Sequence, residues 1–429
     1  MKKKYRIILY TSIFLLCVVA SIILVVKKSN SVYEEESKPK VVKHKSMLSM
    51  NLEQTAGSGD YKTVTQSKWP TEGYKFNAEL SRCENGSTLS WDDTKKAVIV
   101  SGNLSDKCYV YFDIYQPTLA EYIKSQYTGT QGENNIYYHD SDLANGAGDN
   151  SYRYAGANPN NFVCFGTTES PCPTDNLYRI IGVFGENYHG VTGKQLVKLI
   201  KYDYMTTDEL GTDGDYSQTY KEWGMDSTYK GTYGDGERIG VYYWNYKATG
   251  SATNTWSTSL LNKTNLNTNF INNIGTTWAN KIATVTWKVG GNTWANIGTK
   301  TSSVAYTNEI TNPVTTNTTD NATTYSAKIG LMYVSDYGFA ASPDAWTLTM
   351  SSYNNTTATN NNWMYMGLYE WTISRLADNS YYAFGVDGGG GVYDSGVLDY
   401  YGVRASFNLE SSVSYVSGSG SMSDPIVIN

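Results

Sequence analysis

The chain has 429 residues, long for one domain and enough for two or three. Charged residues make up 17% and aromatics 14%, with 38 Tyr and 39 Gly. That balance excludes a long coiled coil, which needs charged flanking positions, and charge-driven disorder, which lacks rings to build a core. The formal net charge is −6, with six Lys/Arg and no acid in residues 1–28, so the body is polyanionic and has no electrostatic reason to bind nucleic acid.

Lys2, Lys3, Lys4 and Arg6 precede an apolar run from Ile7 to Val26, closed by Lys27 and Lys28. At 1.5 Å rise per residue this run spans about 30 Å, the thickness of a bilayer core. It predicts a transmembrane signal-anchor helix, the basic N-terminus inside and everything later outside. The expected localisation is the cell membrane, single-pass, with an extracellular body and the membrane as a partner through residues 7–26. A cleaved signal peptide is the rival reading and a lipoprotein site at Cys17 a third; the run is longer than a signal's usual apolar region. Residues 29–50 are charged, without apolar period, and read as a solvated stalk.

Residues 51–117 read as a small β domain. Tyr61–Thr65 alternates, and Ala97–Val100 and Cys108–Phe112 are β-branched and aromatic runs bounded by turn residues. Residues 118–429 form the expected second domain. It opens on a helix, because Thr118 and Glu121 have capping-box spacing before Leu119, Tyr122 and Ile123. The stretch from Tyr127 to Asn161, rich in Gly, Asn and Asp, reads as a long irregular loop. Leu177–Phe184 and Gln195–Ile200 predict two strands. Leu266, Phe270 and Ile274 are spaced for a helix, and Val285, Trp287 and Val289 for a strand that turns at Gly290-Gly291. Within residues 251–280, 18 of 30 are Ser, Thr or Asn, which predicts loop or exposed helix.

Besides Cys17 there are four cysteines, which proximity pairs as Cys83–Cys108 and Cys164–Cys172. Free thiols and zinc are the alternatives, but neither pair is C-x-x-C, and only His44, His139 and His189 could help hold a metal. No Cys follows Cys172 and no His follows His189, so Cys–His chemistry and His metal sites are excluded from the last 240 residues. The acidic runs Asp208–Asp215 and Asp235–Glu237 lack the spacing of a calcium loop and read as acidic turns. Gly388–Gly391 lacks the Lys and following helix of a phosphate loop. Its flanks carry the Tyr, Gly, Ser and Asp of adaptable recognition loops. On that basis Tyr381, Tyr382, Asp387, Tyr393, Asp394 and Tyr400 are the candidate ligand-binding residues, expected to share one exposed surface. The competing reading is an edge hairpin whose Tyr rings cover the sheet.

An ordered set of short motifs runs through residues 120–429. Asn176–Gly182 and Val197–Tyr202 are followed by Trp256–Leu260 and Lys328–Ser335. Glu370-Trp371-Thr372-Ile373-Ser374-Arg375 and Tyr401-Gly402-Val403-Arg404-Ala405-Ser406-Phe407-Asn408-Leu409 close the set. This order resembles a family of uncharacterised bacterial surface domains that end in a Trp-x-x-Ser-Arg…Gly-Val-Arg-Pro pattern, with Ala405 in place of the Pro. More loosely it is similar to the C-type-lectin-like fold of formylglycine-generating-enzyme-type domains. The resemblance covers residues 120–429 and implies a C-type-lectin-like domain with long polar loops there; with the transmembrane helix and small all-β domain read above, the expected fold class is α+β. The enzymes of that group work through late Cys residues or His ligands, which this chain lacks, so no catalytic residue, metal or cofactor is expected. Trp371, Arg375 and Arg404 are assigned to the scaffold, because Arg in an apolar frame ties loop carbonyls or a carboxylate into the core. The function implied is a membrane-anchored extracellular binding or adhesion protein with a protein or glycan partner. A structural cell-envelope component is the alternative, then an enzyme of unrecognised mechanism.

Overall fold

The computed structural model describes residues 48–429, apart from 66–67, 71–72, 104, 213–220, 235, 247–251 and 314–321. Two compact units meet at Tyr115/Gln116 in the chain.

The first unit is all-β: β1 (Leu48–Glu53), β2 (Tyr61–Val64), β3 (Tyr74–Cys83), β4 (Thr88–Asp92), β5 (Ala97–Ser101) and β6 (Cys108–Ile114). One sheet runs β2-β1-β6-β3, and β4–β5 is a separate hairpin. Alternation along β6 turns Cys108, Val110 and Phe112 inward, where Met50, Leu52 and Val98 complete the core. Trp69, Phe76 and Trp91 crowd round the Phe112 ring at 5.7–5.9 Å. Cys83 lies directly opposite Cys108 in the β3–β6 ladder, and the two are bridged.

The second unit begins with α1 (Leu119–Ser125), capped by Thr118 and Glu121 as their spacing predicts. Seven strands make the central sheet: β7 (Ile136–His139), β8 (Ser151–Tyr154), β9 (Phe162–Cys164), β10 (Leu177–Phe184), β11 (Leu196–Lys201), β16 (Ile329–Gly330) and β21 (Ser406–Asn408). Their order is β16-β21-β11-β10-β8-β7, with β9 pairing the first half of β10. β10 and β11 are buried at every position, Arg179, Lys198 and Lys201 included. The second sheet, β12-β13-β20-β17-β18-β19, uses β12 (Lys221–Gly224), β13 (Arg238–Tyr242), β17 (Glu370–Arg375), β18 (Tyr382–Val386), β19 (Val392–Gly396) and β20 (Tyr401–Gly402). Between the sheets in sequence lie α2 (Ile271–Ala279), the β14 (Val285–Lys288)–β15 (Thr324–Ala327) hairpin and α3 (Val334–Ala340).

Several expectations are corrected here. Among the described residues no helix is long and apolar enough to cross a membrane, and residues 7–26 lie outside them. Among the described residues the fold class is therefore mixed α+β with several sheets and no transmembrane helix, and the expected signal-anchor, single-pass membrane placement is corrected with it. Of the expected stalk, Leu48–Met50 belong to β1, because Met50 packs into the first core. The loop expected from Tyr127 to Asn161 contains β7 and β8, whose four-residue lengths hide among turn residues. Gly290-Gly291 does not turn a hairpin: β14 pairs with β15, and a Cβ on either glycine would strike Pro313 or the Arg375 backbone. The polar stretch expected to be loop or exposed helix is exposed only in part: Lys263, Asn272, Asn273 and Thr277 face solvent, but others do not. Asn254, Ser259, Asn262 and Asn265 are buried because their side chains bond backbone groups, as Ser259 Oγ donating to the Trp244 carbonyl at 2.6 Å and Asn265 Nδ2 to that of Leu210 at 2.8 Å.

Candidate functional site

The scaffold around the second sheet is set by buried polar anchors. Trp371 Nε1 donates to the Tyr242 carbonyl, and Trp244 Nε1 to that of Thr372, both at 2.8 Å. Arg404 grips Glu370 with Nε and Nη2, each at 2.8 Å, and Nη2 also reaches the Met364 carbonyl at 2.7 Å. Arg375 Nε donates to the Val289 carbonyl at 2.9 Å, while its Nη1 and Nη2 are buried without partners. Burial lowers its pKa to about 10. Trp371, Arg375 and Arg404 are all at most 1% exposed.

On the face of this sheet that carries Trp371, the Tyr401 ring is held between two others. Its ring stacks on the Trp371 indole at 4.3 Å and 30°, and on its other flank meets Tyr369 at 5.0 Å. It can extend over β18 because residue 385 is glycine: a Cβ there would stand 3.1 Å from the Tyr401 ring and 2.9 Å from the Glu370 carbonyl. At the far edge the Tyr401 hydroxyl meets Ser395 Oγ at 2.6 Å. Tyr369, Gly385, Asp387, Tyr393, Ser395 and Tyr401 thus line an open groove of about 230 Å³. Tyr369 is 44% exposed and Tyr393 38%. Trp223 braces Tyr369 edge-on at 6.4 Å, and Trp294 lies nearly parallel to Tyr393 at 5.6 Å.

Asp387 closes one end. Its Oδ1 accepts the amides of Gly389 and Gly391, at 2.8 and 2.9 Å, which folds Gly388–Gly391 into the β18–β19 connection. No bond to its Oδ2 occurs among the described residues. The glycine run is therefore a hairpin loop shaped by one carboxylate.

The six expected ligand-binding residues are divided by the strand alternation. Asp387 and Tyr393 line the groove. Tyr382 and Asp394 take the opposite alternation, with the buried Phe384 and Val386. Tyr381 precedes β18, 49% exposed, and Tyr400 packs its ring on Tyr243 at 4.4 Å. A single surface for all six does not form, because consecutive strand residues point to opposite faces. Tyr369, Ser395 and Tyr401 were missed. The signal for them is period two: Tyr369 and Trp371 in one strand, Tyr393 and Ser395 in another.

A larger cleft of about 610 Å³ lies beside Gly166, lined among others by Asp175, Asp208, Glu209, Glu237 and Arg238. It gathers parts of both acidic runs singled out in the sequence; Asp213, Asp215 and Asp235 lie outside the described residues. Two of its carboxylates are engaged internally. Glu209 pairs with Lys201 at 2.7 Å and caps Thr206, and Glu237 accepts the Gly234 amide. Among the described residues no cluster of His, Cys, Asp and Glu could hold a metal ion. The Cys164–Cys172 bridge is present nearby in the chain, as spacing predicts.

A third polar cluster is sealed in the core. Lys198 Nζ sits 2.6 Å from Asp336 Oδ2 and from Tyr188 Oη, and Arg153 pairs with Asp149 at 2.7 Å. Burial lowers the Lys198 pKa. Lys198 and Asp336 are fully buried and line neither cavity, so the cluster ties β8, β11 and α3 together.

No family model, curated protein or solved structure matches the chain.

Proposed function

We propose that the chain is a non-catalytic binding protein that folds in an oxidising compartment and recognises its ligand at the Tyr401 groove. The groove carries the reading. It is the place where exposed aromatic rings, a glycine floor and a carboxylate with an unoccupied oxygen converge on a rigid sheet. Two disulfides support the compartment, since such bridges persist where thiols are not kept reduced. The groove's polar groups favour binding over chemistry: Ser395 is hydrogen-bonded to a tyrosine and not to a base, and Asp387 stands without a second carboxylate. The motif resemblance to bacterial surface domains agrees with a surface-binding role.

The test is a glycan and protein binding screen of the chain, repeated with Tyr369→Ala. Tyr369 is exposed and outside the apolar core, so the variant keeps the fold, checked by near-ultraviolet circular dichroism. A ligand lost by the variant supports the reading. Ligands bound equally by both proteins place recognition elsewhere.

A further inference from the structure

We infer that Lys198 and Asp336 condense to a side-chain amide, an isopeptide bond that joins β11 to α3 across the core. The bond is independent of the groove, since neither residue lines it.

The reacting groups are already in contact. Lys198 Nζ lies 2.6 Å from Asp336 Oδ2, the oxygen bonded to the carbon it attacks. Both side chains are fully buried. The Tyr333, Tyr188 and Trp287 rings close round the nitrogen at 4.3, 4.9 and 4.9 Å. Two groups held this way react as one molecule, and well-oriented pairs reach effective molarities of about 10⁵–10⁸ M.

The surroundings also favour the protonation states that the reaction needs. In water an ammonium has no lone pair to attack with, and a carboxylate resists attack. In this core the charged forms are the costly ones, and burial lowers the Lys198 pKa. Passing one proton along the 2.6 Å contact leaves a neutral amine and a carboxylic acid. A lysine desolvated in an apolar pocket is an activated nucleophile.

The charge that develops on attack has donors waiting. Tyr188 Oη accepts from Lys198 Nζ and donates to Asp336 Oδ1, both at 2.6 Å. Burial raises the Tyr188 pKa well above its ordinary value, so the hydroxyl keeps the proton it donates. Arg153 Nη1 stands 3.7 Å from the same Oδ1 and is buried without a hydrogen-bond partner. Such an unpaired N–H is costly in the resting pair, and it gains a partner when Oδ1 becomes an oxyanion. The Tyr333 amide donates to Oδ2 at 3.0 Å and steadies the oxygen that leaves.

The step balances without a co-reactant. Nζ forms a bond to Cγ, and Oδ1 takes the negative charge. A second proton passes from the nitrogen to the Oδ2 hydroxyl, the Cγ–Oδ2 bond breaks and water departs. The product is a neutral amide with one N–H, so the core loses a buried cation and a buried anion together. Arg153 keeps its own partner, Asp149, at 2.7 Å.

Peptide mapping of the full chain tests this, and the wild-type map needs no variant to fold. After reduction, alkylation and denaturation, trypsin cuts after Lys194, Lys201, Lys328 and Arg375. The expected product is peptide 195–201 joined to peptide 329–375, one water lighter than their sum and uncut at Lys198. Separate peptides of full mass, with cleavage after Lys198, overturn the inference. Lys198→Met should release peptide 329–375 unjoined; a cross-link that persists there lies elsewhere and overturns this pair. Tyr188→Phe keeps the ring and loses the hydroxyl, so its joined fraction should grow roughly 100-fold more slowly after synthesis. A rate equal to the wild type's overturns the step drawn through Oδ1.

Discussion

Two buried side chains show how single residues govern this fold. Arg404 and Glu370 are 1% and 2% exposed, and their two-point contact leaves no solvent to replace either partner. Arg404→Ala strands a carboxylate in the core and should destabilise the protein by about 3–5 kcal/mol. Arg404→Met combined with Glu370→Leu removes both charges and should recover most of that loss, as measured by denaturant unfolding. Glu309 is the second. Its carboxylate accepts the amides of Val334 and Ser335 at 2.9 Å and Ser335 Oγ at 2.7 Å, capping α3. Burial, with Asp336 nearby, outweighs these donors and raises its pKa from 4.5 to about 7. The folded state therefore holds a proton that the unfolded chain releases. Its contribution to stability is complete below pH 4.5 and is lost as pH rises to about 7. Relative to Glu309→Gln, the wild type should lose roughly 2–3 kcal/mol across that window, read from denaturation midpoints at each pH. A difference that does not vary with pH would show that Glu309 does not titrate there. Neither residue's partner could be named from sequence, since Glu370 lies 34 positions from Arg404 and Glu309 caps a helix beginning 25 positions later.

At the scale of elements, legibility followed burial pattern and length. β10, β11 and β6 were readable because mostly apolar or alternating runs have few other solutions. α1 was readable from its capping box. β7 and β8 were not, because four residues among Asn, Asp and Gly carry too little pattern; pairing of β8 with β10, and of β7 with β8, makes them strands. The 251–280 stretch was legible only in part. Lys263, Asn272, Asn273 and Thr277 are exposed as composition suggests, but Asn and Ser side chains can enter a core when they replace water as partners of stray carbonyls. The candidate site was half legible. The Gly388–Gly391 insert between two apolar frames pointed to the right hairpin, and Asp387 and Tyr393 reach the groove. Tyr369 and Tyr401 were hidden inside frames read as scaffold, since only pairing of β20 beside β17 sets Tyr401 on Trp371.

For the whole molecule, the two units differ in what sustains them. The second buries a large continuous core, and the first only five core residues beneath a few half-buried rings. So small a unit leans on its bridge. Cys83–Cys108 spans 25 positions and Cys164–Cys172 only 8, so the first bridge restricts the unfolded chain more, by about 1 kcal/mol. Reducing both should therefore unfold residues 48–115 at a lower denaturant concentration than the rest, giving two transitions by tryptophan fluorescence. Cys83→Ser with Cys108→Ser should reproduce the early transition without reductant, and Cys164→Ser with Cys172→Ser should not. One unchanged transition in both would mean the first unit does not depend on its bridge.

Local chemistry explains what the sequence determined alone: both disulfide partners, the capped helix, the buried strands and the scaffold role of Trp371, Arg375 and Arg404 follow from near neighbours or from apolar frames. The tertiary structure alone decided which face each hairpin residue takes, which carboxylate meets which arginine, and that Tyr401 sits between Tyr369 and Trp371 against a glycine. Those outcomes depend on strands that are distant in sequence, and on a one-residue alternation that turns neighbouring tyrosines to opposite sides of a sheet.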